Sequence, residues 1–338
     1  MVANNHKSIR IGIFGASGYA GQDLVELLTG HPQVSLVFAT SNTYAGQPVP
    51  GTALHFIPQG EAAFDSVDAV FLALPHKASA PVVAQALGAG VKVIDLSADL
   101  RLETADAYQQ WYKVPHPHPE LLPVPYGLPE ITRDKLHGID VVAVPGCYPT
   151  ATLLGLYPLL QTHALAEHAP IIVDAKSGVS GAGREPKPAN HFVEVFGNFS
   201  PYSPGRTHRH VGEMEQEIAR LNGQTGPLIF TPHLLPVDRG LMASIYVTLN
   251  DDFHSSQAQS LFEELYGQEP LVQVLPAGQL ATLKHVIRQN TCVISLTPVT
   301  DHYLHITSVT DNLRKGAASQ AIQNFNLMFN LPETTALL

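Results

Sequence analysis

The sequence predicts an α/β protein in two parts, a doubly wound parallel sheet followed by an α+β domain with a mixed sheet. Three observations carry that expectation. An apolar strand passes through a glycine turn into a helix within the first 28 residues. Short apolar runs then alternate with helix-like runs, and a parallel sheet needs such crossover helices. Beyond residue 160 the pattern turns strand-rich.

The first strand covers 8–14 (Ser-Ile-Arg-Ile-Gly-Ile-Phe), followed by Gly15-Ala16-Ser17-Gly18-Tyr19-Ala20-Gly21 and a helical pattern from Asp23. Strand, glycine turn and helix form the context of a dinucleotide fingerprint. The glycines fall as G-x-x-G-x-x-G, but small residues still let the backbone approach a pyrophosphate at a helix N-terminus. Gly15, Ser17, Gly18, Tyr19 and Ala20 are therefore candidate cofactor contacts. The second strand, 34–39, leads to Thr40, Ser41 and Asn42, where NAD enzymes place a carboxylate on the ribose 2′-hydroxyl. With no carboxylate to repel a 2′-phosphate, NADP is favoured, with Ser41 as a contact. A third strand over 69–74 ends in Pro75-His76-Lys77, a helix covers 78–87, and a fourth strand covers 91–94. In a doubly wound (Rossmann) sheet, ligands lie beyond the carboxyl ends of the strands, which places Pro75, His76 and Ser97 on the ligand side. Arg101 is placed to hold a phosphate or carboxylate, or to pair with Asp99. The proline-rich stretch 104–134 reads as a long irregular excursion, and its His116 and His118 lack the companions of a metal site.

Val141, Val142 and Val144 lead into Pro145-Gly146-Cys147-Tyr148-Pro149-Thr150 and a helix over 151–160. This puts Cys147 on a strand-to-helix turn, where the helix dipole favours a thiolate. The competing reading is a small buried side chain. Strands follow over 171–175, 228–231, 242–249, 292–297 and 303–308, with Cys292 assigned to the core of its strand. The glycine-rich loop 177–184 offers Ser180 and Gly181 as a cradle for an anionic or nicotinamide group and ends in Arg184, a candidate anion contact. Tyr202 precedes Thr207-His208-Arg209-His210-Val211-Gly212-Glu213, where one imidazole suits acid/base work supported by a neighbour such as Glu213. No third metal ligand accompanies the two histidines. Asp311 or Asn312 caps a last helix running to about Phe329, which returns to the first domain. The expected division is thus 1–148 with 312–338, and 149–311.

A formal net charge of -10 and a pI of about 5.9 argue against nucleic acid or an anionic membrane as partner. A small anion in a locally basic pocket is compatible with them. Two cysteines imply no disulfide framework and a reducing cytoplasm. Residues 1–7 lack the apolar core of a signal peptide, and no apolar run reaches the roughly 18–20 residues of a membrane span.

Together these motifs resemble the N-acetyl-gamma-glutamyl-phosphate reductases of arginine biosynthesis over almost the whole chain. The Pro-Gly-Cys-Tyr-Pro-Thr and Ser-Gly-Val-Ser-Gly-Ala-Gly blocks are the most specific. The turns at Leu74-Pro75-His76 and 95–101, His208-Arg209-His210 with Glu213, and Asp311-Asn312-Leu313 support them. The resemblance implies a catalytic and dimerisation domain after the Rossmann domain and a homodimer or homotetramer. It further implies NADPH-dependent reduction of an acyl phosphate through a thioester on Cys147. His208 is then the first choice of proton donor with His210 or Glu213 as support, Asn312 a cofactor contact, and Arg101, Arg184 and Tyr202 substrate contacts. Gly212 departs from the pattern, standing where the family usually has proline, which loosens that helix start. An N-acyl-aminoadipyl-phosphate reductase of lysine synthesis is the nearest alternative, and a non-catalytic NADP-binding redox sensor is one from another class.

Overall fold

The computed structural model describes residues 8–222 and 225–338. The polar segment 1–7, read above as lacking a signal peptide, lies outside the described residues. Two compact units emerge, one formed by the chain up to Pro145 together with Ala317–Leu338, the other by Gly146–Gly316.

The first unit contains β1 (Ile9–Phe14), α1 (Tyr19–Thr29), β2 (Val34–Ala39), β3 (Ala69–Leu72), α2 (Ser79–Gly88), β4 (Lys92–Asp95), α3 (Ala105–Tyr112), α4 (Pro129–Thr132) and β5 (Val141–Ala143). All five strands run parallel in the order β2-β1-β3-β4-β5. Strand order reverses between β1 and β3, the switch point at which such sheets leave a crevice beyond their carboxyl ends. Phe14, Val70, Leu72, Val83 and Val93 belong to its apolar core.

The stretch 104–134 is less irregular than its prolines suggest. Thr104 caps α3 by accepting the Ala107 N–H at 3.1 Å, and Tyr108 is fully buried with its hydroxyl donating to Asp99. That helix buries one side chain only, so it has no apolar stripe to reveal it.

The second unit begins with α5 (Cys147–Gln161) and β6 (Ile171–Gly178), then α6 (Phe192–Val195), β7 (Ser200–Pro201), α7 (His210–Asn222), β8 (Leu228–Leu235) and β9 (Leu241–Thr248). It ends with α8 (Ala258–Tyr266), β10 (Val272–Val274), β11 (Cys292–Thr300) and β12 (Tyr303–Thr310). Its seven strands lie in the order β10-β11-β12-β9-β6-β8-β7, parallel at β6·β8 and β10·β11 and antiparallel elsewhere. Helix α5 is buried nearly all round and packs on β9 and β12. Cys292 is fully buried in β11, its Sγ 3.3 Å from the Ser308 hydroxyl.

After β12 a π-helical turn (Arg314–Ala318) precedes α9 (Ser319–Met328), which completes the first unit. Phe325 packs against Phe71, and the Gln320 and Asn324 amides donate to the Gly127 carbonyl. The observed unit boundaries, after Pro145 and after Gly316, differ from the expected 148 and 311. Cys147 opens a helix whose apolar surface belongs to the second sheet, and this moves it out of the first unit.

Candidate functional site

In the first unit the glycine turn has a division of labour. Gly15 adopts φ +73°, and a Cβ there would lie 2.4 Å from the Ala73 carbonyl. At Gly21 a Cβ would meet the Gly15 carbonyl at 2.4 Å, so helix and strand pack only because it is absent. Gly18 differs, since its Cβ would meet only the Gly15 carbonyl, at 3.4 Å. The open approach at Gly18 and the lack of acidic residues in the first turn of α1 suit an anion. The Ser17 and Ser41 hydroxyls share a 2.8 Å hydrogen bond where β1 and β2 end. Beside them a cavity of about 370 Å³ is lined by Phe14, Asn42, Gln59, Phe64, Val82 and Gln85. These residues fit a dinucleotide: an open phosphate approach, hydroxyls by the ribose position and an apolar slot with amide groups.

Two residues expected at a ligand are engaged in internal hydrogen bonds. Ser97 is buried, its hydroxyl donating to Asp95 at 2.8 Å and accepting the Asp99 N–H. Arg101 is likewise buried, donating Nε to the Val144 carbonyl at 2.9 Å and a terminal nitrogen to the Leu96 carbonyl at 2.7 Å. It braces the strand end leading towards Cys147. Asp99 in turn accepts the backbone N–H groups of Lys77, Ser79 and Ala80 and so fixes the turn after β3. On that turn Pro75 and His76 are exposed, with the His76 ring near Tyr112.

In the second unit Cys147 is the first residue of α5 and half-buried. Its backbone is held from behind by Glu213, almost fully buried, whose Oε1 accepts the Gly146 N–H at 2.8 Å. Tyr148, the next residue, meets the rings of His208 and His210 edge-on with centroids 5.8 and 6.1 Å away. Tyr202 donates its hydroxyl to that of Tyr148 at 3.1 Å and lies 5.6 Å from the His208 ring. Burial pushes both phenols up, Tyr202 to about 12, so both stay protonated.

His208 is held down at about 4, chiefly by burial and also by the adjacent Arg209. Its Nδ1 accepts the backbone N–H of His210 at 3.2 Å, which assigns the proton of the neutral ring to Nε2. The ring is thus oriented by the backbone of His210, one of the two supports that the sequence offered beside Glu213. Asn312 accepts the Gly240 N–H at 2.7 Å and donates to the Ser180 hydroxyl at 2.9 Å, tying the glycine loop to the end of β12. Within that loop Gly181 and Arg184 are exposed. Asp99 carried no motif of its own, and it acts on backbone N–H groups that spacing does not encode. Among the described residues no group of three or more His, Cys, Asp or Glu side chains is arranged to hold a metal. Nor is any helix among them long and apolar enough to cross a membrane.

Residues 10–139 match the semialdehyde dehydrogenase NAD binding domain, and residues 147–312 match the semialdehyde dehydrogenase dimerisation domain. An N-acetyl-gamma-glutamyl-phosphate reductase from Symbiobacterium thermophilum is 45% identical, the match covering 98% of this chain and 98% of that protein. One of the same name from Geobacter sulfurreducens is 44% identical, covering 97% and 98%. Among solved structures, aspartate semialdehyde dehydrogenase II from Vibrio cholerae superposes with a TM-score of 0.77 at 18% identity, over 96% of this chain and 99% of that one, which is a likeness of fold. The chain therefore belongs to the semialdehyde dehydrogenase family and, within it, to the N-acetyl-gamma-glutamyl-phosphate reductases.

Proposed function

We propose that this reductase converts N-acetyl-gamma-glutamyl phosphate to N-acetyl-glutamate 5-semialdehyde through a thioester on Cys147, using NADPH. The observation that carries this reading is the setting of Cys147, a half-buried thiol at the N-terminus of a long helix, followed directly by Tyr148, whose ring meets those of His208 and His210 edge-on. The thiolate attacks the gamma carbonyl carbon, the C–O bond to phosphate breaks, and a thioester forms. NADPH, when bound, supplies the hydride that reduces this thioester to a hemithioacetal alkoxide. The neutral His208 ring offers its Nε2–H to that oxygen, and the N-terminal field of α5 supports the same charge. Collapse of the alkoxide releases the aldehyde and regenerates the thiolate, while the proton consumed overall ends on inorganic phosphate.

NADPH is preferred over NADH because β2 ends in Thr40, Ser41 and Asn42, with no carboxylate to repel a 2′-phosphate. Gly15, Ser17, Gly18, Tyr19 and Ala20 carry the pyrophosphate turn, and Pro75 and His76 border the same strand ends. Ser180, Gly181 and Asn312 are the cofactor contacts contributed by the second unit, with Arg184 and Tyr202 as substrate contacts. Arg101 acts as a brace. The chain is proposed to assemble as a homodimer or homotetramer through the sheet face that exposes Ile172, Ile229, Tyr246 and Tyr303. The match to a dimerisation domain supports a second copy as the occupant. A reducing cytoplasm keeps the nucleophile as a thiol.

The test is the reverse reaction, phosphate-dependent NADP reduction with N-acetyl-glutamate semialdehyde and with its aminoadipate homologue. One methylene is worth about 1–3 kcal/mol, so the ranking of kcat/KM identifies the substrate. Cys147→Ser is expected to abolish turnover while leaving the NADPH Kd within about threefold, well under the 1.4 kcal/mol of a tenfold change. A serine variant that turns over at the native rate sinks the thioester.

A further inference from the structure

The segment after β12 is shaped around the nucleophile. The Asp311 carboxylate accepts the backbone N–H groups of Leu313 (2.9 Å) and Arg288 (2.6 Å). Its carbonyl accepts those of Arg314 (3.1 Å) and Gly316 (3.0 Å). The chain then takes the π-helical turn at Arg314–Ala318, a departure from the α-helix that recurs at functional sites.

This turn sets Gly316 against the first residue of α5. A Cβ added at Gly316 would lie 2.8 Å from Cys147 Cβ, 3.3 Å from Cys147 Cα and 3.2 Å from the Asp311 carbonyl oxygen. The backbone of Gly316 is outside the left-handed region, so conformation does not require glycine there, whereas space does. What fills that space is the cysteine itself. The opposing groups are main-chain atoms and the stem of the nucleophile, which cannot swing aside as the tip of a long side chain can. On its other side the same turn is anchored by Glu213 through the Gly146 N–H.

We infer that Gly316 is a positioning residue for Cys147, its missing side chain letting the first turn of α5 sit where the thiolate reaches the acyl carbon. The inference rests on the reading of Cys147 as the nucleophile. A Cβ at 316 comes too close to Cys147 Cβ for both to stay in place, and a misplacement near 1 Å costs on the order of a hundredfold in rate.

Three variants test this. Gly316→Ala is expected to lower kcat roughly tenfold to a hundredfold with the NADPH Kd essentially unchanged, and to alter the rate at which iodoacetamide alkylates Cys147, read by peptide mapping. Gly155→Ala is the control on the same helix. Its Cβ would meet the Ile245 Cδ1 tip at 2.7 Å, so Tm falls while kcat and alkylation keep native values. The third arm removes the opposing atom: in a Cys147→Gly background, Gly316→Ala loses much less Tm than in the native background. If Gly316→Ala alone does not fold, recovery of folding in the double variant supports the contact. Equal Tm losses in both backgrounds, no recovery, or native kcat and alkylation in Gly316→Ala overturn it. Alkylation and the Tm cycle use no substrate, so they report on the contact even if the acyl phosphate assignment fails.

Discussion

Glu213 illustrates how a carboxylate near a histidine pair takes a structural task once the chain is folded. Its Oε1 accepts the N–H of Gly146, the residue immediately before Cys147. Glu213→Ala leaves that N–H buried and unpaired, a loss of about 1–3 kcal/mol in denaturant unfolding, with kcat falling as the turn loosens. Glu213→Gln keeps an acceptor oxygen and should recover most of both. Equal losses in the two variants would show that charge, not the hydrogen bond, is what matters. Two other groups set an acid-side stability profile. His208, ordinarily at 6.5, is held at about 4 by burial and Arg209, so between those values the unfolded chain binds a proton that the folded chain does not. Its contribution is lost as pH falls through that window. Asp95, ordinarily at 3.8, is pushed up to about 6 by burial, so the folded chain holds the extra proton and this contribution weakens as pH rises. The two oppose one another. Asp95→Asn removes the second, and urea midpoints compared at about pH 4.5 and 6.5 should show a steeper acid-side loss than in the native chain.

At the scale of elements, the glycine turn and α1 behave as one device with separable parts. Gly21 is needed for packing, because its Cβ would strike backbone at 2.4 and 2.7 Å, whereas a Cβ at Gly18 would make only an ordinary contact, 3.4 Å from the Gly15 carbonyl. Gly18→Ala is expected to cost at most about 1 kcal/mol of stability as a helix cap and to raise the NADPH Kd about tenfold. Gly21→Ala should lower Tm as well. Isothermal titration beside thermal melts separates the two effects, and an unchanged Kd in Gly18→Ala would remove Gly18 from the phosphate site. Strand, glycine turn and helix were legible because each has its own period and the glycines mark the join. Helix α3 was not, since its hold on the fold is one buried tyrosine and a threonine cap. The expected helix from Asp311 proved to be a π turn followed by α9, and it is within that turn that Gly316 lies against Cys147.

The whole molecule closes its first unit with its last residues. Ile322, Phe325 and Met328 are buried there, Asn326 bonds His31, and Glu333 bonds Arg133. Burying each of those apolar side chains contributes about 1.5–3 kcal/mol, together comparable with the 5–15 kcal/mol net stability of a typical domain. Deleting Ala317–Leu338 should therefore unfold the first unit and abolish NADPH binding, read by near-UV circular dichroism and limited proteolysis. A truncated chain that binds NADPH normally would show the unit to be complete without α9. The sequence by itself determined the class of fold, the nucleotide turn, Cys147 on a strand-to-helix turn and the family, since these depend on local periodicity and on residues adjacent in the chain. Only the tertiary structure decided that Arg101 and Ser97 are engaged in internal hydrogen bonds, that Glu213 accepts the Gly146 N–H, and that Gly316 lies against Cys147. Those roles come from backbone groups 43, 67 and 169 residues away or from buried turns, and no pattern of side-chain types records which main-chain atom will arrive beside them.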